Sequence, residues 1–197
     1  MTFVLPEGLA PEVYPLAWLV GAWRGEGMVA YPGIDEAAFT HDLTVTSDGG
    51  PYLAYTSTIR LVEVPDDPSA LVGGGERDGE RDGDPAPAQV EPVWASEAGY
   101  WRVPPETPGD VPPGRHPVEL LVADPSGHVA VYVGAVGNGR IDLVSDLVAH
   151  TATGADVTAG RRLYGLVGGE LMWVHELAAF GQPLQSYASA RLTRVMP

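Results

Sequence analysis

The sequence predicts an all-β chain whose strands close into an up-and-down antiparallel barrel. Three observations predict it. The 197 residues include 25 glycines and 19 prolines, a content that interrupts helices and serves turns. About ten extended runs follow one another at regular spacing, separated by short turn clusters. Helical periodicity is almost absent, and a meander of so many strands loses its exposed edges only by closing on itself. A chain of this length fits one domain, long enough to close a barrel around a cavity.

In chain order, Pro15 to Val20 is a short apolar turn or a single helical turn. The first strand is Gly21 to Pro32, where Gly21, Trp23, Gly25 and Gly27 share one face. Glycine weakens a strand unless a backbone approaches closely or the strand must bend. Phe39 to Val45 and Pro51 to Val64 read as a hairpin joined by Ser47-Asp48-Gly49-Gly50. Residues 65–92, rich in Gly, Asp and Pro, bury too little apolar area to offset their ordering entropy, so a long mobile loop inserted in the single domain 1–197 is expected. Further strands follow at Trp94–Val103, Pro117–Ala123, Val129–Val136, Arg140–His150, Val157–Val167, Glu170–Leu177 and Leu184–Val195. Asp124-Pro125-Ser126-Gly127, Gly137-Asn138-Gly139 and Gly168-Gly169 are the tight turns between several of them.

Composition excludes several function classes. The net charge is −15 with only 11 Lys and Arg, which argues against nucleic acid and against an anionic membrane surface as partners. No cysteine is present, so disulfides, thiolate metal sites and cysteine nucleophiles are ruled out. The first residues carry no basic segment ahead of an apolar core, and no apolar run is long enough to span a membrane. A cytoplasmic location is the default expectation. There is no nucleophile elbow, phosphate loop or dinucleotide fingerprint. His41, His116, His128 and His150 have no metal-ligand spacing and are expected at the surface or in turns.

Four blocks in order carry a family resemblance. They are Gly21-x-Trp23-x-Gly25-x-Gly27 with Tyr31-Pro32-x-Ile34, then Glu97-x-Gly99-Tyr100-x-Arg102, then Val118-Glu119-Leu120-Leu121 with Pro125-Ser126-Gly127, and last Gly181-Gln182-Pro183-Leu184-Gln185 with the closing Arg191-Leu192-x-Arg194. Together they resemble the nitrobindins across nearly the whole chain. The resemblance implies a ten-stranded barrel like that of the fatty-acid-binding proteins and lipocalins, without a helical lid. It also implies haem b in the barrel mouth, ferric iron ligated by a histidine of the last strand, and nitric oxide or peroxynitrite chemistry. A homodimer is implied in the same way. The position of that histidine carries Tyr187 here. The counterpart of a second pocket histidine is Ala95, next to the bulky Trp94, and Gly33 stands where the family has threonine.

Tyr187 could ligate ferric haem as a phenolate or hydrogen-bond a ligand as a cavity tyrosine. Strand parity places Arg191 on the face of Tyr187, where it would hold a carboxylate if that face points inward. At the barrel end it would instead be solvated or paired with a glutamate. His175, sharing its face with Trp173 and Leu177, is either a core or rim histidine or a relocated haem ligand. Trp94 would shrink the cavity and disfavour haem by bulk. Glu97 and Tyr100 differ in parity and should face opposite ways. The reading is a haem-free barrel, with no cofactor expected, that holds a small apolar, amphiphilic or fatty-acid-like molecule. The alternative is a ferric haem protein ligated by Tyr187 or His175. A third reading is an interaction module acting through the insert or an outer barrel face.

Overall fold

The computed structural model describes residues 7–62, 91–105 and 111–195. A 3-10 helix, Pro11–Leu19, precedes ten strands. These are β1 (Gly21–Tyr31), β2 (Ile34–Thr46), β3 (Tyr52–Leu61), β4 (Val93–Arg102), β5 (His116–Ala123), β6 (His128–Gly137), β7 (Arg140–His150), β8 (Val157–Val167), β9 (Glu170–Ala179) and β10 (Gln185–Val195). Each pairs antiparallel with its sequence neighbour, and β10 pairs with β1 to close the barrel. The insert expected at 65–92 lies outside the described residues except for Glu91 and Pro92.

The two ends of the barrel differ. At the end where β1 begins, the 3-10 helix buries Val13, Leu16 and Leu19. Trp23 donates its indole N–H to the Leu19 carbonyl at 2.9 Å, and Arg194 lies over the Trp23 ring while donating to the Trp18 carbonyl. Beneath this plug the lumen is solid with fully buried Trp23, Leu43, Leu53, Trp101, Leu120 and Ile141. No described helix covers the opposite end, where the β1–β2, β5–β6, β7–β8 and β9–β10 turns gather.

The glycines of β1 answer a close approach of backbones. A Cβ at Gly25 would stand 2.0 Å from the Arg191 carbonyl oxygen, and one at Gly27 would stand 2.2 Å from that of Ser189 and 2.4 Å from the Phe39 ring. Gly27→Ala should therefore destabilise the barrel by roughly 1–3 kcal/mol, readable as a lower urea midpoint at unchanged slope.

Register shifts interrupt five of the ten ladders, and two of them fall in β10 and β8. In β10 the register slips between Ser186 and Ala188, so Tyr187 is the extra residue against β9. In β8 it slips between Val157 and Ala159. The β7–β8 ladder ends at Val144 and Arg161; beyond it the Gly160 N–H is taken by the Ser145 hydroxyl at 3.0 Å.

Candidate functional site

The open half of the barrel encloses a cavity of about 550 Å³. That is within the range of small-molecule pockets. Its apolar wall includes Ile34, Ile59, Val122, Ala130, Val148, Val157 and Leu177. Of the sequence-derived candidates, Tyr187, His175, Trp94, Ala95 and Leu177 all line it.

Arg191 does not. The β10 bulge turns both Tyr187 and Ala188 inward and sends Ser189 and Arg191 outward. The Arg191 side chain is 65% exposed and pairs with Glu170 on the outer surface. Gly33 is also displaced from its expected role. It is an exposed residue of the β1–β2 turn with φ +85°, while its neighbours Tyr31 and Ile34 reach the cavity. Two histidines expected at the surface are inside instead. His41 is almost fully buried, and His128 lines the mouth, paired with Asp124 at 3.2 Å and bonded to the Ala155 carbonyl.

The most consequential residue that sequence reasoning missed is Arg162 of β8. It is buried and clamps Glu97 of β4 through two hydrogen bonds of 2.8 and 2.5 Å. Three strands separate β4 from β8 around the shorter arc, so the pair spans the lumen. Tyr55 donates a further bond to Glu97 at 3.1 Å. Arg162 stacks over the Tyr132 ring, and its Nε is buried with no partner among the described residues. Burial pushes the Glu97 carboxyl up, but the charge and hydrogen bonds of Arg162, with Tyr55, together hold it at about 2. Tyr100, by contrast, points outward as its parity requires.

A second contact across the lumen lies nearer the mouth. Trp94 donates its indole N–H to the Tyr187 hydroxyl at 2.7 Å, joining β4 to β10. The Tyr187 ring packs edge-on against both Tyr31 and His175. Tyr31 steadies the β9–β10 wall by accepting the Ala179 N–H at 3.0 Å and donating to the Leu177 carbonyl at 3.1 Å. Burial raises the Tyr187 phenol above its ordinary value, partly offset by the Trp94 bond, so it remains a phenol at neutral pH.

His41 and His175 are neutral. Burial lowers His41 to about 4 and His175 to about 3, the Arg162 charge adding to the second. Trp173 donates to Nδ1 of His41 at 3.0 Å. Nε2 must then carry the proton and donate to the Ser57 hydroxyl at 2.7 Å. Both folded values lie below the ordinary 6.5, so the unfolded chain binds these protons first. Stability should thus be full above about pH 6.5 and fall as the pH drops toward 4 and then 3. Urea titrations across this range should show the slope, and His41→Gln should remove about one proton's worth of it.

Comparison with known proteins fits this architecture. The family profile described as THAP4-like, heme-binding beta-barrel domain matches residues 12–194. A ferric nitrobindin-like protein of Beutenbergia cavernae is 48% identical over 99% of this chain and 100% of its own length. A peroxynitrite isomerase of Parafrankia sp. is 39% identical over 94% of this chain and 81% of its own. The crystal structure of Rv2717c from M. tuberculosis superposes with a TM-score of 0.70 at 30% identity, covering 95% of this chain and 99% of that one. The closed ten-stranded barrel and the profile match over nearly its whole length place the chain in the THAP4-like, heme-binding beta-barrel family of the nitrobindins.

Proposed function

We propose that this barrel binds a small, largely apolar molecule in its cavity without ligating haem iron. The observation that carries the reading is the hydrogen bond from Trp94 to Tyr187 across the lumen. The family implies haem, and the residues present do not fit it. A haem anchored at position 187 needs a basic ligand atom facing open space. Here that position offers a neutral phenol whose oxygen already accepts the Trp94 N–H. The Trp94 indole also lines the cavity right beside that position, which leaves less room there for a flat macrocycle. The cavity that remains suits a compact ligand.

The fatty-acid form of this reading is not retained. Its carboxylate was to be held by Arg191, which faces outward, and the inward arginine is already neutralised by Glu97. Native mass spectrometry after gentle purification should show an adduct of small-molecule mass. Saturable fluorescence enhancement of the neutral dye N-phenyl-1-naphthylamine, reduced by a bulky Ala95→Trp substitution, supports the same conclusion. A protein that neither carries an adduct nor takes up the dye overturns it.

One observation favours the haem alternative. His175 faces the cavity as a neutral imidazole, the protonation state that can ligate iron. It stands against Tyr132, whose hydroxyl is 3.4 Å from its Nε2, and beneath the Tyr187 ring. A shifted Soret band on adding hemin, abolished by His175→Ala, would establish that alternative.

A further inference from the structure

The ion pair that crosses the lumen is not symmetric toward the cavity. Both partners line the cavity, but the Arg162 side chain is 6% exposed and that of Glu97 is 21% exposed. The partner more open to a ligand is therefore the carboxylate. Its oxygens are unequally occupied: Oε2 receives Arg162 and Tyr55, while Oε1 receives only Arg162. A carboxylate oxygen accepts two hydrogen bonds readily, so Oε1 retains acceptor capacity.

Directly across the β3–β4 ladder from Glu97 stands Ser57, also inward and also lining the cavity. Its oxygen accepts the His41 Nε2–H, an assignment fixed by the Trp173 bond on the other ring nitrogen. The serine O–H is therefore a donor, and it can turn to a ligand oxygen in place of the Tyr55 hydroxyl oxygen. The cavity floor thus pairs one acceptor, Glu97 Oε1, with one donor, the Ser57 hydroxyl, on adjacent strands.

From this pairing we infer that the site selects an apolar ligand bearing a hydroxyl head group, whose O–H donates to Glu97 and whose oxygen accepts from Ser57. This deepens the cavity-ligand reading and rests on it. An alcohol can meet both partners at once. An ether can only accept. A carboxylate would bring a second negative charge beside Glu97, and Arg162 is already neutralised by its existing partner. Buried like charges at hydrogen-bond distance are strongly disfavoured. The Glu97 carboxyl, held at about 2, stays ionised through the neutral range, so the preference should persist there.

Displacement of N-phenyl-1-naphthylamine from the full-length protein tests this with 1-octanol, octanoate and an ether of equal length, at roughly pH 8, where octanoate is ionised. Octanol should compete more tightly than either, on the order of tenfold over octanoate. Glu97→Gln should reverse the order, because Arg162 then becomes an unpaired cation inside the cavity. Ser57→Ala should weaken octanol and the ether alike, because both accept from that hydroxyl, and leave the gap between them. Octanoate binding as tightly as octanol to the wild-type protein overturns the inference, and that comparison does not depend on any variant folding. Failure of the dye and of all three competitors to bind, with no adduct in the native mass spectrum, would instead remove the cavity-ligand reading itself.

Discussion

Arg162→Met should destabilise the barrel by about 3–5 kcal/mol at neutral pH, the cost typical of removing one member of a buried ion pair. The substitution leaves Glu97 as an uncompensated charge in an apolar lumen. The pH dependence distinguishes this from simple loss of packing. In the wild-type protein Glu97 is lowered from 4.5 to about 2, so its contribution is complete above 4.5 and is lost as the pH falls through about 2. A shift of that size corresponds to roughly 3 kcal/mol. Without Arg162 only burial acts strongly, and it raises the carboxyl above its unfolded value. The variant then gains stability as Glu97 protonates. The difference between wild type and variant should shrink from pH 7 to about pH 4, a range over which the wild-type pair stays intact. Replacing both partners by apolar residues, Glu97→Leu with Arg162→Met, should recover most of the loss at neutral pH. Urea unfolding of the three proteins at two pH values measures all of this. A difference independent of pH would refute the assigned role of the pair.

Tyr187→His combined with Trp94→Ala should convert the barrel into a hemin binder. The double variant supplies a neutral imidazole at the bulged position of β10. It also clears the indole from the lumen. Hemin titration should then give a shifted Soret band with affinity raised on the order of a hundredfold over wild type, about 2.7 kcal/mol of added binding free energy. Each single variant should fall short, Tyr187→His because the Trp94 indole still stands in the lumen beside it, and Trp94→Ala because a phenol remains. Hemin affinity unchanged in the double variant would mean that another feature of this cavity disfavours haem.

The barrel was legible in the sequence, whereas the site was legible only in part. Turn chemistry and period-two patterning marked every strand, because each turn has its own Gly, Pro or Asn punctuation. The structure lengthens β2 back to Ile34, since Pro32-Gly33 makes a tighter β1–β2 turn than the apolar pattern suggested. Parity correctly separated Glu97 from Tyr100 and grouped His175 with Trp173 and Leu177. It failed at Arg191, because one bulged residue between Ser186 and Ala188 inverts every side chain after it. A bulge leaves little trace in composition.

Arg162 was obscured in two ways. β8 has its own bulge, and both of its faces carry apolar residues, Leu163 and Val167 on one parity and Tyr164 and Leu166 on the other. His41 could have been found, because it alternates with Phe39, Leu43 and Val45 on the buried face of β2. Metal-ligand spacing, which His41 lacks, carries no information about burial. The contacts across the lumen, Trp94 to Tyr187 and Glu97 to Arg162, join strands that are not neighbours in the barrel. No local pattern encodes them, since they follow from barrel diameter and register together.

Hemin titration of the wild-type protein, followed through the Soret region, tests the central claim most directly. The account predicts the spectrum of free hemin, with no saturable shift. A sharp, shifted Soret band that saturates at one hemin per chain and is lost in His175→Ala or Tyr187→Phe would contradict it.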